Sequence, residues 1–374
     1  MTRHLIAASV WLCAAGAVTA HAQALWALPS LATRVLYDSN VYHRSAAESD
    51  LLTRVSPRLD VLRRRERLTM SGRLELDADR FARHPGLSTD RSREAAAVDM
   101  RYAASPRLSV SSAAAFTATD SPDELNELAA LSPGRARARR LLWHPSVGYD
   151  LGPRASLALG YLVTGDALHG GVGGTTETVS ASLARHLSAR DGLALEYLEQ
   201  HFSFTGAPAS ASRAVTVEWS RQVDRGTTVT LRVGPRVADG ALAPELSALL
   251  RRALQAGSVS LSYQDTETTL IGLAGSARMR SLGAGFERVV GRRLTLRTTS
   301  ALVQTRQAEL RSVAYRVSGG CNWRFAPRLG VEASYDSDLQ RGDLYASQPA
   351  QVIRRNLFSV SLVVADARAA AQGR

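Results

Sequence analysis

Val313-Ala314-Tyr315-Arg316-Val317-Ser318-Gly319-Gly320-Cys321-Asn322-Trp323-Arg324-Phe325 alternates between an apolar or small set at odd positions and a polar or smaller set at even ones. Period two places each set on its own face of a β-strand. The pattern recurs in Leu141-x-Trp143-x-Pro145-x-Val147-x-Tyr149-x-Leu151, and more briefly at Leu193-x-Leu195-x-Tyr197, Val215-x-Val217-x-Trp219 and Val229-x-Leu231-x-Val233. From about residue 30 to about residue 365, alternating stretches of roughly ten residues give way to turns and begin again. Strands of that length match the ~9–11 tilted residues that cross a bilayer.

Eight short polar connections set the count. They are Arg64-Arg65-Glu66, Ser105-Pro106-Arg107, Gly152-Pro153-Arg154, Ser188-Ala189-Arg190-Asp191, Asp224-Arg225-Gly226, Gln255-Ala256-Gly257, Gly291-Arg292-Arg293 and Ala326-Pro327-Arg328. Longer Gly- and Ser-rich segments lie between them, for example 164–175, 204–212 and 340–351. Short turns at one end and long loops at the other are the asymmetry of outer-membrane barrels, whose short turns face the periplasm. Eight hairpins and one further strand at each terminus predict an all-β, antiparallel up-and-down barrel of about 18 strands, within a range of 14 to 18. A soluble sheet of this size would have to bury many Arg, Asp and Glu in a dry core, at high cost. A closed sheet with lipid outside and water inside removes that cost.

Two segments depart from the alternation. Ser121-Pro122-Asp123-Glu124 reads as a capping box with Pro at the first helical position. Leu125, Leu128 and Leu131 follow at helical spacing, and Ser132-Pro133-Gly134 ends the run. This predicts a short helix in an extracellular loop, which either orders that loop or enters the pore as a partial plug. The stretch 244–255 has leucines that also suit a helix, but the hairpin count requires a strand there.

The chain opens with Arg3 and His4, an apolar run from Leu5 to Val18, and Ala20-His21-Ala22. That is the build of a secretory signal peptide over 1–22, cleaved after Ala22. The expected mature protein is then a single barrel domain over 23–374 with a short polar C-terminal tail, in the outer membrane of a Gram-negative-type bacterium. Beyond the leader no run approaches the ~18 apolar residues of a spanning helix. Of the two cysteines only Cys321 lies outside the leader, so an intramolecular disulfide is excluded.

Formal net charge is +12, and all 46 cationic residues are arginine. Arginine's planar fork suits carboxylate and phosphate; a GC-rich genome writes the same composition. The expected partners are outer-membrane lipid and lipopolysaccharide, and nucleic acid is not one of them. The run 135–140, with four arginines, is a candidate for lipopolysaccharide phosphates or a solvated loop.

With the apolar set facing out, the lumen set comprises Arg34, Arg54, Arg58, Arg73, Arg101, Arg232, Arg297, Arg316, Arg324 and Arg355. Its acids are Asp60, Glu75, Asp77, Asp99, Glu196, Glu218 and Glu332. This predicts a hydrated, mildly basic lumen, which either favours anions or holds its wall together by arginine–carboxylate pairs. Trp143, Tyr149, Trp219, Trp323 and Phe325 suit interfacial girdles. His84, His144, His169, His186 and His201 are scattered with no nucleophile motif beside them, so no catalytic residue is assigned and no enzyme, cofactor or metal is expected. An extracellular rim is expected from Tyr37, Asp38, Asn40, Tyr335, Asp336 and Asp338. These belong to Tyr37-Asp38-Ser39-Asn40-Val41-Tyr42 and its near copy Tyr335-Asp336-Ser337-Asp338-Leu339, which closure of the barrel brings together. Their oxygens either collect a divalent cation or, as Asx residues, turn the chain.

The Tyr37–Tyr42 motif, followed by Ser49-Asp50 and Val55-Ser56-Pro57-Arg58-Leu59, resembles the outer-membrane β-barrel porin family associated with exopolysaccharide gene clusters. The similarity is specific over roughly residues 30–65. It implies a pore or accessory conduit in exopolysaccharide secretion, with an anionic polysaccharide as the passing solute. The alternative is a general or anion-preferring diffusion porin; a barrel enzyme ranks below both. The chain departs from many barrels in running past its last alternation into the polar tail 365–374 rather than ending on an aromatic.

Overall fold

The computed structural model describes residues 25–126, 129, 131, 134–308, 310–326, 328–343 and 351–365. The leader lies outside the described residues, as does the tail beyond residue 365. Eighteen strands run in chain order: β1 (Leu25–Asp38), β2 (Asp50–Arg64), β3 (Leu68–Phe81), β4 (Thr89–Ala103), β5 (Leu108–Thr119), β6 (Ala138–Gly152), β7 (Ala155–Leu168), β8 (Gly174–His186), β9 (Asp191–Phe204), β10 (Ala207–Gln222), β11 (Thr227–Ala238), β12 (Ala241–Leu254), β13 (Gly257–Thr269), β14 (Ser276–Val290), β15 (Leu294–Gln307), β16 (Leu310–Ala326), β17 (Leu329–Gly342) and β18 (Gln351–Ala365). Each pairs antiparallel with its sequence neighbours, and β1 pairs with β18 from Ser30↔Ala365 to Asp38↔Leu357. Closure satisfies every strand edge, which is the condition for a sheet to span lipid. No helix among the described residues is long and apolar enough to cross a membrane.

The face assignment follows from exposure. Along β16, Tyr315 and Val317 are exposed while Arg316 between them is partly covered. Leu141, Leu195, Val233, Leu282 and Leu362 repeat this on other strands, with 46–60 % of their surface open. A soluble protein rarely leaves so many large apolar side chains open in a continuous belt; in a bilayer, lipid covers them.

All eight predicted short turns fall at one end, between β2 and β3 and then every second pair to β16 and β17. At the other end several expected long loops are shorter than predicted. The strands run on through most of 164–175 and 204–212, leaving residues 169–173 and 205–206 as connections. Asp239 and Gly240 join β11 to β12 with φ of 48° and 82°, the left-handed pair that a two-residue hairpin needs. The stretch 244–254 is strand, in β12, despite its leucine spacing, and residue 255 begins the turn to β13. The predicted loop helix is a single 3-10 turn, Pro122–Glu124. Its capping box does not form: the Ser121 side chain makes no cap hydrogen bond, and the Glu124 carboxylate pairs with Arg93 at 3.2 Å.

Candidate functional site: a loop-constricted lumen

In the connection between β5 and β6, the described residues Leu125, Asn126, Ala129 and Leu131 lie buried inside the barrel. Leu131 and Ala129 bury against Leu270, Ala277, Met279, Val303 and Ala314, on the inner wall of β14–β16 and the loop before it. Met279 and Leu131 are fully buried, an apolar contact inside an otherwise polar lumen. At roughly 25 cal/mol per Å2 of apolar surface, a fully buried leucine contributes about 2 kcal/mol toward holding the loop inside. The Ile271 N–H donates to Asn126 Oδ1 at 3.1 Å, and Arg140 donates to the Leu125 carbonyl at 2.7 Å.

Charged tethers fix the near end. Asp123 lies 3.4 Å from Arg355 on β18 and 3.4 Å from His43 in the β1–β2 loop. Burial alone would raise the Asp123 carboxyl, but His43 and Arg355 together hold it well below the usual range. Its neighbour Glu124 is pushed up to about 7, by burial first and then by the adjacent Asp123 charge, against the opposing pull of Arg54 and Arg93. One acid of the turn is therefore a fixed anion and the next titrates near neutrality. Above them the β13–β14 loop meets the β7–β8 loop, with the Val172 N–H donating to the Gly272 carbonyl at 3.1 Å. The β13–β14 loop thus touches both the constriction and the opposite rim.

Beside the loop lies a cavity of about 840 Å3. One side carries Arg34, Arg54, Arg93, Arg140, Glu75, Asp77 and Glu124, and the other Thr164, Thr176, Thr178, Gln200 and Phe202, with Glu267 beyond. Four arginines and four carboxylates line it. Arg54 forks onto Asp79 with bonds of 2.7 and 2.8 Å, Arg93 reaches Glu75 at 2.7 Å, and Arg140 forks onto Asp166 at 2.7 Å through both contacts. Bidentate pairs of this kind are short, strong and directional.

Every predicted lumen residue occupies the face opposite the exposed apolar row. Several are paired there: Arg58 and Arg73 share Asp60, Arg232 meets Glu196 at 2.9 Å, Arg297 meets Glu287 at 2.7 Å and Arg316 meets Asp338 at 2.7 Å. Arg34 reaches Glu332 at 3.9 Å. Arg101, Arg324, Asp99 and Glu218 lie further toward the short-turn end. Sequence alternation missed Arg93, Arg140 and Arg236 and, more importantly, acids such as Asp79, Asp166 and Glu245. Arg236 is almost buried, bound to Glu245 at 2.7 Å and to Ser212 at 2.7 Å. Around the constriction the expected arginine excess is absent, because these acids meet it one for one. Strict alternation past Arg232 would have found Arg236; the register shift between Asp77 and Asp79 disturbs the phase near Arg93.

The expected extracellular rim divides. Tyr37 and Tyr335 point outward, 44 % and 47 % exposed, whereas Asp38, Asp336 and Asp338 face the lumen. Arg355 donates to Asp38 at 2.8 Å, and the Asn40 N–H closes an Asx turn onto Asp38 Oδ1 at 2.9 Å. Asn40 also donates to the Arg44 and Arg354 carbonyls, tying the β1–β2 loop to β18. No group of three or more acids, histidines or cysteines able to hold a metal occurs among the described residues. The run 135–140 does not form one basic patch. Arg135 stacks over Phe81 at 5.0 Å, Arg137 binds Glu94 and Asp120, Arg140 faces inward, and Arg139 is exposed. His201 lies outside the lumen, 3.3 Å from Glu199, and His84 bridges Asp50 and Glu48 between two outer loops.

No protein-family model matches the chain, and no curated protein matches it in sequence. Among solved structures it is similar to OpdQ of Pseudomonas aeruginosa, at 10 % identity, covering 91 % of this chain and 98 % of that one with a TM-score of 0.51. It also aligns with OccAB4 of Acinetobacter baumannii, at 7 % identity over 91 % and 98 % of the two chains with a TM-score of 0.49. A third match is the siderophore receptor PirA of Pseudomonas aeruginosa, at 10 % identity over 90 % and 80 % with a TM-score of 0.43. At such identities the likeness concerns the fold. The chain is an outer-membrane β-barrel of a Gram-negative bacterium.

Proposed function

We propose that this barrel is a general diffusion pore for small polar solutes, narrowed by the inward β5–β6 loop and only weakly selective for charge. The observation that carries this reading is the constriction itself: arginines and carboxylates in equal number, mostly paired, facing a wall of threonine and glutamine across a cavity of about 840 Å3. A ring of one sign would attract the opposite ion and repel its own; paired charges hold the wall rigid and leave little net field. The fold shared with OpdQ of Pseudomonas aeruginosa is compatible with this reading. The exopolysaccharide conduit implied by the first-strand motif is the second reading. The loop that bridges the lumen favours a small solute over a polymer, and nothing in the comparisons carries the polysaccharide association. The barrel acts without catalysis, as a passive channel.

Liposome swelling with neutral sugars of increasing size tests the proposal. Monosaccharides should enter rapidly and longer oligosaccharides should be excluded. Absence of swelling, or equal entry of a long dextrin, would refute it.

A further inference from the structure

The outer wall carries a basic surface that the pore does not use. Its height can be read from the outward aromatics. Tyr37 stands opposite Phe358, and Phe358 opposite Tyr335, so three rings lie side by side across β1, β18 and β17. Tyr315 on β16 continues the row, opposite Leu339. From Tyr315 to Trp323 on the same face is roughly 27 Å along the strand, or about 20 Å across the bilayer at a ~40° tilt. Tyr315 and Trp323 therefore mark the two interfacial levels.

Past the outer level, the outward positions become arginine on five adjacent strands: Arg278 and Arg280 on β14, Arg306 on β15, Arg311 on β16, Arg341 on β17 and Arg354 on β18. Register sets Arg278 opposite Arg306 and Arg306 opposite Arg311. Like charges facing each other directly are destabilising, yet here they run in series. Arg311 lies four residues beyond Tyr315, about 14 Å along the strand and roughly 10 Å above the aromatic level, at the depth of lipid phosphates. Asp265 forks onto Arg278 at 2.7 and 2.8 Å and binds Arg280 at 2.9 Å. The ion pairs among the described residues include none to Arg306, Arg311, Arg341 or Arg354, and all four are exposed. Elsewhere on the rim most arginines meet acids: Arg80 meets Asp90, Arg91 meets Glu94, Arg137 meets Glu94 and Asp120, and Arg213 meets Glu199, while Arg139 is exposed.

We propose that the outer wall of β14–β18 is a docking site for the phosphorylated headgroup of the outer-leaflet glycolipid. Guanidinium forks suit phosphate oxygens bidentately. The row of unpaired charge, set above the aromatic level, matches a polyanionic headgroup lying flat against the barrel. It replaces the run 135–140, whose arginines are mostly engaged within the protein, as the lipid-phosphate surface.

Native mass spectrometry of the purified, folded barrel titrated with diphosphoryl lipid A tests this. The triple variant R306Q/R311Q/R354Q should bind about tenfold more weakly or worse, since three charge-assisted contacts are lost, while R80Q/R213Q should bind as wild type does. Heat-modifiable electrophoretic mobility reports folding. Should the triple glutamine variant not fold, R306K/R311K/R354K keeps the charge but loses the bidentate forks and should bind several-fold more weakly than wild type, with dephosphorylated lipid A binding wild type about tenfold more weakly. Retained affinity in the folded glutamine variant, or equal binding of the dephosphorylated lipid to wild type, would overturn the proposal. Equal displacement of lipid A by phosphatidylglycerol would overturn its assignment to the glycolipid.

Discussion

Replacing Arg355 with glutamine should loosen the constriction while leaving the barrel closed. Its guanidinium donates to both oxygens of Asp38, with bonds of 2.8 to 3.1 Å, and reaches Asp123 at 3.4 Å. The Asp38 side chain is 2 % exposed and that of Asp123 14 %, so the substitution leaves two covered carboxylates short of a cation. Breaking a buried pair by removing one partner costs about 3–5 kcal/mol. Arg355 itself is 17 % exposed, and Asp38 keeps the Asn40 N–H, which argues for the lower end. Most of that cost falls on the β1–β18 seam, where nine residue pairs continue to hold the strands. The loop loses only the longer contact, worth about 1.5 kcal/mol on the scale of hydrogen bonds to charged groups. Since 1.4 kcal/mol is tenfold in an equilibrium, the detached loop should become about ten times more populated. In planar-bilayer recordings, R355Q should show excursions to a higher conductance about ten times more often than wild type. R297Q removes an exposed pair near the short-turn end, 69 % and 40 % open, and should leave the record unchanged. Adding D123N to R355Q should raise the excursions further, because Asp123 also holds His43 at 3.4 Å. An R355Q record indistinguishable from wild type would show that this tether does not hold the loop.

Glu124 should make selectivity depend on pH. Its carboxyl, pushed up to about 7, is neutral below that value and negative above, so the lining has a spare positive charge at pH 6 that vanishes by pH 8. Reversal potentials should show a weak anion preference at pH 6 fading by pH 8, and E124Q should be flat across the range; a wild-type profile already flat would refute the assignment. The same acid gives a stability slope. Its folded value lies above the unfolded 4.5, so the native state binds more protons between the two and stability falls as pH rises through that window, a slope that denaturant titration should find missing in E124Q. Val317, 47 % exposed on the outward face and two residues inward of Tyr315, should resist charge: V317R should cost about 1–2 kcal/mol in lipid refolding, between the midplane and interfacial values, and no measurable cost would place it outside the bilayer. His84 should clamp the outer loops in acid. Its imidazole, raised chiefly by the hydrogen bond to Asp50, holds the β1–β2 and β3–β4 loops together below its ordinary value of 6.5 and releases them as pH rises beyond its folded one. Hydrogen exchange in residues 43–49 and 82–88 should accelerate accordingly in wild type, and the pH dependence should be absent in H84A.

The barrel was legible because its determinants are local. Alternation needs two residues to declare a face, and turns such as Ser105-Pro106-Arg107 declare a reversal in three. The stretch 244–255 shows local rules in conflict: its leucines satisfy helical spacing as well, and pairing with β11 and β13 decides for strand. The constriction was only half visible. Ser121-Pro122-Asp123-Glu124 satisfies a capping rule on paper, but Glu124 meets Arg93 and Asp123 meets Arg355, partners 31 and 232 positions away. Contacts of that separation override a local preference and leave no trace in a window of sequence. The lumen charge was overestimated for a similar reason. Acids such as Asp79 and Asp166 sit at strand ends, where alternation fades into turn, whereas arginines such as Arg58, Arg73 and Arg316 lie in mid-strand and are easily counted. The outer arginine row lay in the same blind zone, since it emerges only when five strands are set in register.

The account stands most directly on current through single molecules in a planar bilayer at neutral pH. A water-filled barrel narrowed by the described inward residues of the β5–β6 connection should pass a steady ohmic current with little preference between cation and anion, and removing the loop's apolar anchor with L131A should raise the time spent at higher conductance. A silent bilayer, or a strongly cation-selective current indifferent to L131A, would contradict it.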